Sequence, residues 1–403
     1  MSSPTANYKY QALGTHLKTN RKLQGLLGAL GIFVLFAGIW ALAPRVHHPS
    51  SQHANIVPGR SKDAEGNPAW TFADGTVFVK PKEVAVHALV FWETWESGVV
   101  GECYLRRNLV KNGGLLEKVI FVTTAKDPGD LAALEKVIKS EPEVYQHGVT
   151  RHMASRGVPH SAWDGIELDP EVLYIKLDST ITYISDAAIP ALVQHRLAHK
   201  APLMISANTI NNPPLSQLHA RLGAVRPFLP EPLPPKPTPL TNWRTSSLPL
   251  LPPPKAGYTP KAPKSHHRWL PVNATNLDST PARYDGDWTG WEVAAQAHYS
   301  FFQNAEIAGG LAGYNFGAWD MEYERLGVGM VALWGKDAVE HLPVNRDEAG
   351  FWTVDISKKL KRHVIVDGRA LAALYAFGTQ EEDGLKRTDV LQRYKAFAKE
   401  FCV

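Results

Sequence analysis

From Val84 onward, short unbroken apolar runs alternate with stretches of helical spacing. Val84-Ala85-Val86-His87-Ala88-Leu89-Val90-Phe91 is a β-rich run of the kind a strand shows when both faces are covered. Residues 96–111 then place Val100, Cys103, Tyr104 and Leu109 on or near one helical face, and Asn112-Gly113-Gly114 stops that helix. Lys118 to Thr123 reads as a second strand. Asp130 to Ser140 reads as a second helix, begun by Asp127-Pro128. Leu173 to Leu177 is a further strand, Pro190 to His199 is helical, and Leu203 to Asn208 is again a strand. This alternation predicts an α/β fold, a Rossmann-type sandwich with a mostly parallel central sheet. No GxGxxG follows the first strand, which argues against a dinucleotide cofactor. Neither a P-loop lysine motif nor a GxSxG elbow is present.

The pattern changes at both sides of this region. Gly25 to Ala43 is apolar and uncharged, close to the length that spans the hydrocarbon layer. Lys9, Lys18, Arg21 and Lys22 precede it and Arg45 alone follows closely. The positive-inside rule then leaves residues 1–24 as a cytosolic tail and puts the rest in a lumen. A cleaved signal peptide is the competing reading, but Pro44-Arg45-Val46 is no small-x-small cleavage site. Residues 25–43 are therefore expected to be a transmembrane signal anchor, 44–80 a stem and 81–403 a lumenal domain. Asn273-Ala274-Thr275 is an N-glycosylation sequon, which fits that placement. The proline-crowded stretch 227–263 must be loop or polyproline II, either a linker or a surface insertion beside a binding site. Trp288, Trp291, His298, Tyr299, Phe301 and Phe302 follow it. Such rings suit the C–H faces of sugars, although core packing accounts for most of the twelve tryptophans.

Charge and cysteine content narrow the choice. A formal net charge of +4 over 403 residues, with no polybasic cluster, argues against nucleic acid as a partner. Two cysteines, Cys103 and Cys402, rule out a disulfide scaffold and a multi-cysteine zinc site. They pair in an oxidising lumen or remain two buried thiols.

The richest chemistry lies where Leu173-Tyr174-Ile175-Lys176-Leu177 ends on Asp178-Ser179-Thr180. Ligands of α/β sheets bind at the carboxyl ends of strands, and a carboxylate there can hold a divalent cation and, through it, a diphosphate. Asp178 is the candidate donor- and metal-binding residue. Lys176 and Arg325 are candidates to meet a diphosphate in place of an ion. Asp320 and Glu324, four apart, would share a helical face with Glu322 off it. Either is a candidate general base. Asp186 is expected to cap the helix near Pro190, His298 to be a satisfied interior histidine, and Asp367-Gly368-Arg369 to turn after a strand at 363–366.

From about Val86 to Cys402 the chain resembles a fungal glycosyltransferase family of single-pass type II proteins. The matching segments include Cys103-Tyr104-Leu105-Arg106-Arg107-Asn108-Leu109-Val110, Leu173 to Asp178 and Ser206-Ala207-Asn208 with Asn211-Asn212-Pro213. Ala294-Ala295-Gln296, His298-Tyr299-Ser300-Phe301, Trp319-Asp320 and Tyr323-Glu324-Arg325-Leu326 match too, as do Thr388-Asp389-Val390-Leu391 and Arg393-Tyr394. The resemblance implies a GT-A-like fold and transfer of a hexosyl group from a nucleotide-sugar donor. The acceptor would be a glycan, lipid or small-molecule hydroxyl, and the place the Golgi or endoplasmic reticulum. It also implies Mn²⁺ or Mg²⁺ at Asp178. Two departures bear on that ion: the family strand ends in Asp-Asp-Asp where this chain has Asp178-Ser179-Thr180, and a family histidine is replaced by Leu374. The ion is then held by Asp178 with diphosphate and water, or replaced by basic side chains. In a third reading the chain is a non-catalytic glycan-binding or scaffolding partner.

Overall fold

Buried β-branched and aromatic runs give the main sheet, nine strands among the described residues of a computed structural model. Those residues are 59–123, 125–148, 162–163, 166–233, 236, 239–252, 265–272, 288–344 and 347–402. The anchor at 25–43 and Asn273 lie outside them. Among the described residues no helix is long and apolar enough to cross a membrane.

The first three strands, β1 (Gly59–Lys62), β2 (Pro68–Thr71) and β3 (Val77–Val79), form a small antiparallel sheet of their own. The stem expected over 44–80 is therefore folded from Gly59 on. Trp70 and Phe72 are buried in the main core, and this burial supplies what the polar local sequence does not advertise.

The main sheet holds β4 (Val86–Trp92), β5 (Lys118–Thr123), β6 (Tyr145–His147), β7 (Leu173–Asp178), β8 (Ile181–Ile184), β9 (Met204–Ile210), β12 (Ala318–Asp320), β13 (Met330–Trp334) and β14 (Val364–Leu374). Its order is β12-β14-β9-β13-β7-β4-β5-β6, with β8 on β14. The pairs β7–β4, β4–β5, β5–β6 and β14–β9 are parallel, while β13 runs against both neighbours. This is a mixed α/β architecture with a mostly co-directional, Rossmann-like sheet. From β4 the chain steps to β5 and β6 on one side, and β7 then adds on the other side. The topological switch point thus lies between the carboxyl ends of β4 and β7.

Helices α1 (Trp95–Arg107), α2 (Pro128–Ser140), α3 (Ala188–Ala198), α4 (Pro213–Arg221), α5 (Trp291–Ala305) and α6 (Val390–Phe401) cover the sheet. Asp127 caps α2 by accepting from the amides of Gly129 and Asp130, as Asp-Pro at the start predicts. Asp186 caps nothing: α3 has no side-chain cap, and Asp186 instead takes the Arg107 guanidinium at 2.9 Å. Alternate residues of β7 enter two separate cores, Leu173, Ile175 and Leu177 on one face and Tyr174 on the other. The aromatic run is core as well. Trp269 stacks on Tyr299 at 6.0 Å, and Phe301 and Phe302 pack on Tyr394 and Phe397.

The proline-rich stretch is more anchored than a linker. β10 (Phe228–Pro230) pairs with β11 (Trp269–Pro271). The buried Trp243 donates to Glu400, and its carbonyl accepts from Arg393 of α6. The turn expected at Asp367-Gly368-Arg369 is a bulge inside β14, which continues to Leu374. Gly368 makes it possible, because a Cβ there would stand 2.1 Å from the Phe316 carbonyl oxygen.

Cys103 and Cys402 form a disulfide that joins α1 to the end of α6, with Cα atoms 5.8 Å apart. Reduction, or Cys402→Ser, is expected to cost about 2–4 kcal/mol, read as a lower midpoint in thermal unfolding. His298 is fully buried, its ring bonded to the Tyr394 hydroxyl at 2.8 Å and the Tyr375 carbonyl at 3.0 Å. Burial pushes its pKa down to about 4, and that of the equally buried His219 down to about 3, from 6.5. The unfolded chain takes up these protons first. Their contribution is complete above pH 6.5 and is lost as pH falls, toward 4 for His298 and toward 3 for His219. A pH series of melting temperatures should show this loss, shallower in His298→Phe provided that variant folds.

Candidate functional site

Asp178 closes β7 at the switch point, about a third of its side chain reaching solvent. Two residues back on the same face is Lys176, fully buried. Its ammonium lies 2.5 Å from Asp178 Oδ1 and 2.9 Å from Glu348 Oε1, and donates to the Val328 carbonyl at 3.0 Å. An ammonium has three N–H groups, so these contacts use them all. The Phe91 ring lies 5.0 Å from the same nitrogen, and Trp163 donates to Glu348 Oε1 at 2.8 Å. Burial alone would push the lysine down, but the charges of Asp178 and Glu348 hold it above its usual range. Burial pushes the Asp178 carboxyl up. Lys176 opposes that shift and Glu348 adds to it.

The places expected for further acids are taken by other work. Ser179 Oγ accepts from the amides of Glu93 at 3.0 Å and Thr94 at 3.4 Å, and Trp95 N donates to Asp130 Oδ1. The amides that lead into α1, Glu93 to Trp95, are thus taken by Ser179 and Asp130. The Thr180 carbonyl accepts from Tyr375 N. Leu374 and Asp178 meet around Gly329: a Cβ at that glycine would stand 3.2 Å from Leu374 Cδ1 and 3.4 Å from Asp178 Oδ2. Asp178 and Leu374 thus flank the same glycine. One Asp178 oxygen carries an ammonium, the neighbour is a leucine, and the described residues contain no group of three or more His, Cys, Asp or Glu able to hold a metal.

The other candidates stand elsewhere. Residues 320–324 form a turn, with Glu322 at φ 49°, so Asp320 and Glu324 share no helical face. Asp320 ends β12, where its carboxylate bonds His363 Nδ1 at 2.9 Å and takes the Glu322 amide. β12 is four strands from β7, about 19 Å along the sheet at the usual strand spacing. Glu324 is exposed on that turn, its amide bonded to the Met321 carbonyl. Arg325 is exposed and pairs with Asp347 at 2.8 Å, next to Glu348. Lys176 has no donor left for a diphosphate. The structure thus gathers Asp178 and Lys176, sets Arg325 one ion pair away, and leaves Asp320 apart. Sequence reasoning missed Glu348, Val328 and Gly329. A lysine inside an apolar strand signals that a carboxylate must meet it, since lone buried charges are costly. It does not say which carboxylate.

No family model matches the chain, and no curated protein does. Among solved structures it is similar to 4-diphosphocytidyl-2C-methyl-D-erythritolsynthase from Anaerococcus prevotii DSM 20548. The identity is 14% and the TM-score 0.20, over 31% of this chain and 56% of that one. A likeness of that extent carries no argument about activity.

Glu348→Gln takes one charge-assisted contact from the buried Lys176 ammonium and leaves Asp178 as its remaining counter-charge. Glu348→Gln is expected to cost about 2–3 kcal/mol in urea unfolding, and Arg325→Ala, an exposed pair, less than about 1 kcal/mol.

Proposed function

We propose that the protein is glycosyltransferase-like, with a GT-A-like domain similar to the fungal type II family. Its nucleotide-sugar donor would lie beyond the carboxyl ends of β4 and β7, and a glycan, lipid or small-molecule hydroxyl would receive the sugar. The observation that carries this reading is Asp178, held at the switch point of the sheet with about a third of its side chain exposed. The Cys103–Cys402 bond supports a lumenal setting, since structural disulfides persist in oxidising compartments. A single-pass anchor at 25–43 would hold the domain to a Golgi or endoplasmic reticulum membrane. The general base is left unassigned, because Asp320 and its turn sit four strands from Asp178.

A second reading, a non-catalytic glycan-binding or scaffolding partner of the same fold, is favoured by the salt bridge that already offsets Asp178. Donor binding separates the two. The purified protein is melted with UDP- and GDP-sugars in EDTA, and release of free nucleoside diphosphate is followed with acceptor mixtures. A donor at one hundred times its Kd should add about 2.7 kcal/mol of stability, and Asp178→Asn should remove that gain. Absence of any shift across the donors sinks the transferase reading. A shift without nucleotide release favours the partner reading.

A further inference from the structure

The oxygens around the buried ammonium make a cage. Asp178 Oδ1, Glu348 Oε1 and the Val328 carbonyl all stand within 3.0 Å of Lys176 Nζ. Two carboxylates and a carbonyl are the hard oxygen set that divalent cations take, at about 2.0–2.6 Å. Contraction by about half an ångström would bring them to those distances. The three come from separate parts of the chain, the end of β7, the approach to β13 and a short helical turn at Glu348–Gly350. A lone buried lysine needs one carboxylate for neutrality, and this one has two.

We infer that Lys176 is the resident cation of this site: its ammonium fills a three-oxygen cage that would otherwise take a divalent metal ion. The lysine is tethered, cannot exchange, and carries one charge where a metal ion would carry two. With both carboxylates ionised, two against one ammonium leave a net charge of −1. A ligand beyond the end of β7 would meet the partly exposed Asp178 carboxylate, which suits hydroxyl donors of a sugar or ribose. This inference stands whether or not the ligand is a nucleotide sugar, and its test uses none.

The probe is Mn²⁺ alone. For the wild-type protein the melting temperature should be the same in Mn²⁺ and in EDTA, and the spin-resonance signal of free Mn²⁺ should not fall. Lys176→Met should be destabilised in EDTA and should gain about 5 °C in excess Mn²⁺, reversed by chelator. Adding Glu348→Gln to Lys176→Met should cancel the gain. If Lys176→Met is unfolded in EDTA, Mn²⁺ or Ca²⁺ should restore its far-ultraviolet dichroism, and failure to do so counts against the cage. A metal-dependent stabilisation of the wild type that Asp178→Asn abolishes would overturn the inference. A Lys176→Met protein as indifferent to Mn²⁺ as the wild type would do the same.

Discussion

A fully buried ammonium dictates the arrangement of everything at the carboxyl edge of the sheet. Lys176 could be placed in the middle of β7 only if oxygen acceptors closed over it, because an isolated charge in such surroundings would cost several kcal/mol. Asp178 is fixed from below by that charge. Glu348 is drawn in from above, and with it the segment that carries Trp352 into the second core. The Val328 carbonyl is turned inward rather than to water. The geometry of a crevice that a ligand could use is therefore a by-product of neutralising one side chain.

The same constraint explains why the edge is chemically quieter than its position suggests. At a switch point the amides at the start of the first helix are free in many α/β proteins to meet an anion. Here Asp130 takes the first of them, Trp95 N, and Ser179 takes the two amides just before the helix. The small hydroxyl residues after Asp178 are thus part of the framework. Ser179 ties the end of β7 to the start of α1, so that the crevice is braced by side chains that would otherwise line it.

Much of the framework could be read from the residues. β5 runs from Lys118 to Thr123 as its apolar run does, and α2 begins behind Asp127-Pro128 because a capping carboxylate and a proline at the first turn leave few other choices. His298 is a satisfied interior group. What stayed hidden depended on contacts remote in sequence. The strands at 59–79 lack a strong local signal and are held by Trp70 and Phe72 in the core. Asp320 and Glu324 have helical spacing but no helix, because β12 pairs with β14 up to Asp320 and a turn follows. Gly368 looks like a turn residue, yet it serves to let the Phe316 backbone pass. The meeting of Asp178, Leu374 and Gly329 joins the ends of β7 and β14 to the residue before β13.

The order in which the parts are made gives the buried cation a further role. β4, β5 and β7 are early in the chain and can pair with one another as soon as they exist. Glu348, β13 and β14 come far later, and β7 has no partner on its other edge until β13 arrives. In a half-made domain Lys176 therefore holds a single carboxylate at an open strand edge. Such a charge keeps the unfinished edge wet and discourages it from pairing with another chain. The lysine that later seals the site thus guards the nascent sheet while its neighbours are still being synthesised.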